Sequence, residues 1–169
     1  EQLIAIKGVR DSKLHRKTLE FTSSDPLLDK LVQMHRVTFQ VNNQSFLTDV
    51  ADRDERGEYF FSAEQGEGWF FLEDAGAVQR RTSHSMISSF SPETGMVSNL
   101  AGGQPAQVAM AGFTDGIIEM PLQLLQFYND RRTLERAYEP AARTFRTLIE
   151  ANPDGLAKNK FSAFANNWS

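Results

Sequence analysis

The chain has 169 residues and a mass of 19.1 kDa, the size of one domain or of one piece of a larger one. Eighteen Lys and Arg stand against 22 Asp and Glu, giving a formal charge of −4 and a pI near 5.4, without the concentrated positive field that nucleic-acid binders carry. No apolar run approaches the length needed to span a bilayer, and the lack of Cys excludes a disulfide framework, a thiolate metal site and a cysteine nucleophile, although it does not fix the compartment.

In chain order, the start at Glu1, with no charged-then-apolar leader, reads as processed or cut. Leu3, Ile4, Ile6 and Val9, then Thr18, Leu19, Phe21 and Thr22, read as two short extended runs, expected to be the edge of something larger. At Ser23-Ser24-Asp25-Pro26 the pattern changes: Ser24 or Asp25 suits an N-cap and Pro26 the first helical position. Leu27, Leu28, Leu31, Met34 and Thr38 then recur at helical spacing up to Asn42-Asn43. A polar loop follows to about Glu58, and a second helical region from near Ser62 is expected to break at Gly66 and Gly68 and to resume from Trp69 to Ser89.

Ser91-Pro92-Glu93-Thr94-Gly95 is a turn cluster, and the small residues from Val97 to Met110 read as loop. Thr114 or Asp115 can cap a helix carrying Ile117, Met120, Leu124 and Tyr128, closed by Asn129-Asp130, with Pro121 either kinking it or lying in its first turns. A further segment holds Leu134 and Tyr138; a restart is expected at Pro140, with Ala141, Phe145, Leu148 and Ile149 on the buried face up to Asn152-Pro153-Asp154-Gly155. Short turns between helices suggest stacked helical hairpins, whereas Leu156 to Ser169 show no clear period.

Chemistry concentrates between Asp49 and Asp74, where nine of the 22 acidic residues fall within 26 positions. The ordinary reading of such a run is a solvated surface. Against it stand the interleaved Phe60, Phe61, Trp69, Phe70 and Phe71, the alternation of Arg53 and Arg56 with carboxylates, and the apolar Phe46-Leu47 and Val50-Ala51 around Asp49. Carboxylates gathered on apolar walls have their pKa values driven apart, so one can stay protonated near neutral pH, as a glycosidic acid requires. Other motifs fail. An EF-hand aligned on Asp52 and Asp54 puts Arg56 and Ala63 at ligand positions, Phe71 stands where a dinucleotide fingerprint needs Gly, and His15, His35 and His84 are too scattered for zinc.

Thr48 to Arg56, T-D-V-A-D-R-D-E-R, resembles the active-site loop of the α-L-rhamnosidases of glycoside hydrolase family 78, in which D-C-P-Q-R-D-E-R is followed by G-W-x-G-D; Asp49, Arg53, Asp54, Glu55 and Arg56 match in order. Phe21 to Leu28 resembles the passage from the family's β-domain into its first barrel helix, Gly112-Phe113-Thr114-Asp115 resembles its later G-W-G-D, and Asn167-Trp168 its G-D-W. The resemblance implies a mainly α chain, part of an (α/α)6 barrel of stacked helical hairpins preceded by a short β segment. Residues 1–22 would then end a β-domain or linker, and residues 23–169 would form the N-terminal, truncated part of an inverting glycosidase domain. Carried over by position, Glu55 would be the general acid, Asp49 and Arg53 would bind rhamnose hydroxyls, Tyr59 and Phe113 would supply apolar walls, and Asp115 and Trp168 would complete the set.

Departures are Val50, Ala51 and Asp52 for Cys-Pro-Gln, Ser62 (or, with a small shift, Glu64) at a family Asp, and Asn167 at another. The general base of the family lies downstream of the position of Ser169, so the isolated chain is expected to be inactive. Its implied partner is a rhamnose-containing carbohydrate, with no cofactor, metal, nucleic acid or membrane. An incomplete barrel is expected to leave an apolar face for a second copy or the rest of the barrel. Alternatives are a degenerate sugar-binding module and a helical assembly domain whose acidic loop meets a partner.

Overall fold

The computed structural model describes residues 16–43, 48, 66–98 and 114–155. Five helices account for 68% of these residues: α1 (Pro26–Asn42), α2 (Gly66–Leu72), α3 (Gly76–Ser88), α4 (Gly116–Tyr128) and α5 (Arg131–Ala151). The chain is mainly helical, as expected. The short β segment is not seen: among the described residues only isolated antiparallel bridges occur, Lys17 with Glu73 and Ser91 with Met96. The stretch preceding α1 instead closes off the end of α2. Asp74 N–H donates to Arg16 O (2.8 Å), Thr18 N–H to Leu72 O (3.2 Å), and the Thr18 hydroxyl to Phe71 O (2.9 Å), so carbonyls orphaned at the helix C-terminus find donors.

Helix α1 begins where its sequence says. The Asp25 carboxylate accepts from Leu27 N–H (2.9 Å), Pro26 needs no partner, and Asp29 accepts from Ser23 N–H (2.8 Å). The buried face differs from the expected one. Arg36 and Phe39 are buried and Val32 packs beside them, whereas Leu27, Leu28, Leu31 and Met34 are exposed. Positions 32, 36 and 39 form one stripe and 27, 31, 34 and 38 another, so α1 carries two apolar stripes and only the first meets α2.

Gly68 does not break the second helical region: it lies inside α2, which starts at Gly66, while the residues expected to precede it from Ser62 lie outside the described residues. An interruption falls instead at Glu73-Asp74-Ala75, where the backbone pairs with Arg16 and Lys17. Both Gly66 and Gly76 lie close to neighbouring side chains, and at Gly76 the neighbour is a ring. A Cβ on Gly66 would lie 2.5 Å from Gln123 Oε1, and one on Gly76 would lie 2.7 Å from the Tyr128 ring, whose hydroxyl accepts the Gly76 N–H at 3.0 Å. Two buried clusters result. Phe39, Trp69, Phe70, Leu72, Ala75 and Leu124 join α1, α2 and α4; Met86, Val97, Ile117, Met120 and Ala141 join α3, α4 and α5.

The α4–α5 turn is as read. Asn129 takes the left-handed conformation (φ 53°) and its N–H bonds Leu125 O at 2.9 Å. Pro140 does not restart a helix; α5 runs unbroken through it. The buried stripe of α5 is Thr133, Ala137, Ala141 and Thr144; Ala141 is buried as expected, whereas Ile149, expected on the buried face, is 68% exposed. Small residues line the buried stripe, and the large Phe145 packs partly buried at its margin.

Asp130 ties three elements together. It caps α5, accepting from Thr133 N–H (3.1 Å) and the Thr133 hydroxyl (2.9 Å), and pairs with Arg80 Nε of α3. Burial pushes its carboxyl up, but bonds from Arg80 and Thr133 and the Arg80 charge outweigh that and hold it below its usual value. A depressed folded pKa gives stability that is present above the unfolded pKa and lost as pH falls through the folded one. Asp130→Ala is expected to cost about 1–2 kcal/mol in urea unfolding at pH 7, and the deficit should shrink as pH drops below about 4, the unfolded carboxylate range.

Candidate functional site

The acidic stretch lies in sequence between α1 and α2, and the structure secures both of its flanks. Thr48, the residue before Asp49, is buried. Its N–H donates to Asn42 O (2.9 Å), and its hydroxyl lies 3.2 Å from both Asn42 O and Asn42 Oδ1. At the far flank, buried Gly66 meets Gln79 of α3 and Gln123 of α4, whose side chains bond each other (3.4 Å). Trp69 is fully buried and stacks on Phe39 of α1 (centroids 5.5 Å apart, planes 10° apart), and His35 meets the same Phe39 edge-on at 4.7 Å.

Three of the nine clustered acids are described. Glu67 is exposed. Glu73 is fully buried and accepts from Gln40 Nε2 (2.8 Å), with Arg36 Nε 3.9 Å away; the other end of that guanidinium donates to Leu19 O (2.7 Å). Asp74 is exposed, accepts from the Tyr128 hydroxyl (3.1 Å) and pairs loosely with Arg16. Glu73 and Asp74 thus serve the fold, joining α2 to α1 and to α4.

Of the sequence-predicted site residues, Asp49, Arg53, Glu55, Tyr59, Phe113 and Trp168 lie outside the described residues, as do the departures Ser62 and Asn167. Asp115 is described. It occupies the N-cap position of α4, half-buried, beside a fully buried Thr114, and its side chain makes no capping bond to the later amides of the first turn. Burial raises its carboxyl above the usual carboxylate value, and its own and the Gly116 amide partly counter this. A carboxyl so placed is costly to ionise without a partner and suited to hydrogen-bonding a neutral hydroxyl ligand.

Sequence reading missed the part played by Thr48, which lies six residues past the end of α1, beyond the reach of any local capping rule. It also missed Arg80 and His84, whose spacing of four on α3 places them on one face. Among the described residues no group of His, Asp and Glu could hold a metal, and no helix is long and apolar enough to cross a membrane.

These hairpins have counterparts in solved glycosidases. The chain superposes on an α-L-rhamnosidase from Dictyoglumus thermophilum with a TM-score of 0.79 and 21% identity, covering 86% of this chain and 17% of that one. An α-L-rhamnosidase from Streptomyces avermitilis, solved with L-rhamnose, gives 0.74 and 21%, covering 80% and 13%; one from Aspergillus terreus gives 0.70 and 22%, covering 78% and 16%. The shared fold is that of a helical-hairpin glycosidase domain. Residues 16–168 match the bacterial alpha-L-rhamnosidase 6 hairpin glycosidase domain, and the chain belongs to that family. It spans less than a fifth of each of these relatives. No curated protein matches it.

Because the carboxyl of Asp115 has a raised pKa in the folded chain, the stability linked to it is present below the unfolded pKa and is lost as pH rises through the folded one. Asp115→Asn is therefore expected to raise the melting temperature relative to the parent chain at pH 7 and to leave it unchanged near pH 3, as read by calorimetry at the two pH values.

Proposed function

We infer that residues 23–169 form the N-terminal part of an inverting α-L-rhamnosidase catalytic domain, with residues 1–22 ending a preceding β-domain or linker. Glu55 is the general acid that protonates the departing glycosidic oxygen. Asp49 and Arg53 grip the sugar hydroxyls through charge-assisted bonds, Tyr59 and Phe113 form apolar walls, and Asp115 and Trp168 complete the subsite. One observation carries this reading: the D-x-x-x-R-D-E-R register from Asp49 to Arg56 falls within the matched family span, directly after a Thr48 bonded to the end of α1.

Inversion needs a second carboxylate about 6.5–9.5 Å across the scissile bond to activate water. That base is assigned to a part of the catalytic domain outside this chain, in keeping with the small share of each solved relative that the chain covers. The chain alone is accordingly expected to show no turnover.

A degenerate sugar-binding module is the second reading, favoured by Ala51 and Asn167 where the family has Pro and Asp. One substitution separates the two. Glu55→Gln in the full-length parent should lower hydrolysis of an aryl rhamnoside about 10²–10⁴-fold while leaving L-rhamnose affinity within about twofold. Unchanged hydrolysis would remove Glu55 from the acid role, and a parent that binds L-rhamnose but never hydrolyses the rhamnoside would favour the module.

A further inference from the structure

A groove of about 600 Å³ runs along α3, and none of its described lining residues is among those assigned to the glycosidase site. The described side chains that line it include Arg80, Arg81, His84, Ser85 and Ser88, and none of the described lining residues is acidic. Within a chain of net charge −4 this is a local reversal of sign. Two more cations, Arg132 and Arg136 of α5, act on His84.

The groove's polar groups are held in place. Asp130 engages Arg80 through Nε, while the guanidinium stays 41% exposed and lines the groove. The single proton of the Thr133 hydroxyl goes to Asp130 Oδ2 (2.9 Å), so at its 3.2 Å contact with His84 this oxygen accepts, and His84 Nε2 carries the proton. Nδ1 is then the nitrogen left for a ligand. Burial, followed by Arg136, holds the imidazole below its ordinary pKa; Arg80 and Arg132 act in the same direction and Asp130 against it. The field around His84 is therefore positive, and an arriving anion would lower the cost of protonating Nδ1 and gain a third kind of donor beside guanidinium and hydroxyl.

We propose that the α3 groove binds an oxyanion, a sulfate, phosphate or carboxylate group, through Arg80, Arg81, His84 and the hydroxyls of Ser85 and Ser88. Guanidinium forks match such groups bidentately, and serine hydroxyls supply the neutral donors that a point cation lacks. The proposal uses none of the residues assigned to the glycosidase site and does not rest on that reading.

The test is a titration of the full 169-residue chain at fixed ionic strength, following the His84 ring protons by NMR, with sodium sulfate in one arm, sodium glucuronate in a second and sodium chloride as the reference. Saturable shifts with half-points in the millimolar range, accompanied by an upward move of the His84 pKa, are expected with sulfate or glucuronate and not with chloride. Tighter binding of glucuronate would assign the site to a uronate-bearing carbohydrate, and tighter binding of sulfate to an ester or free oxyanion.

Exposed Arg81→Ala should weaken binding about tenfold, Ser88→Glu should abolish it, and Arg143→Ala, on a different groove of α5, should leave it unchanged. Equal shifts with chloride, no saturation with either oxyanion, or equal losses from Arg81→Ala and Arg143→Ala would overturn the proposal.

Discussion

A carboxylate inside an apolar junction is the constraint around which this chain is organised. Glu73, with none of its surface exposed, sits at the break between α2 and α3, among Trp69, Phe70 and Leu72. Such a group costs several kcal/mol to bury unless its charge and lone pairs are met. Helix α1 brings two polar groups to it one helical turn apart: Gln40 Nε2 donates to Glu73 Oε1 at 2.8 Å, and Arg36 Nε lies 3.9 Å from the same oxygen. Because Arg36 also donates to Leu19 O, the same guanidinium ties the segment before α1 to the junction. The stacking of Phe39 on Trp69 then follows, since positions 36, 39 and 40 share one flank of α1. Hydrophobic contact supplies the bulk of the attraction here, and the polar triad selects the docking geometry that sets Gln40 and Arg36 against the buried carboxylate.

This junction matters for function through what it brackets. Residues 44–65, with the D-x-x-x-R-D-E-R register, connect two helices whose relative placement is fixed by the buried carboxylate, and Thr48 bonds the start of that connection to the last turn of α1. A general acid must be held within a few tenths of an ångström of its productive position, and a segment anchored on helices does this better than one tethered to loops. Asp115 is placed on a helix in the same way, half-buried at the start of α4, where burial raises its carboxyl and its own and the Gly116 amide partly counter this.

Capping chemistry was legible in the sequence wherever a local rule decided the outcome: Asp25-Pro26 starts α1, Asn129 ends α4 and Gly95 turns with φ of 68°. What failed to show was decided by partners far along the chain. Gly68 reads as a breaker by propensity, yet it lies inside α2. The real break at Glu73 reads as helix until Arg16 and Lys17 are seen to compete for its backbone. On α5 the sequence placed Ala141 correctly on the buried face but Ile149 wrongly, because Thr133, Ala137 and Thr144, which complete the buried stripe, carry little hydrophobic signal. In the same way the acidic run held two different populations, since Glu73 and Asp74 build the fold and the register upstream of them carries the chemistry assigned to the site.

The claim that one buried carboxylate fixes the docking of α1 is tested most directly by a double-substitution cycle on Arg36 and Glu73, read by urea unfolding. Removing either partner alone, as Arg36→Met or Glu73→Leu, strands a buried polar group and should cost about 3–5 kcal/mol, whereas removing both should cost less than either single change. Strict additivity of the two losses would contradict the account and return the stability of the junction to apolar packing alone.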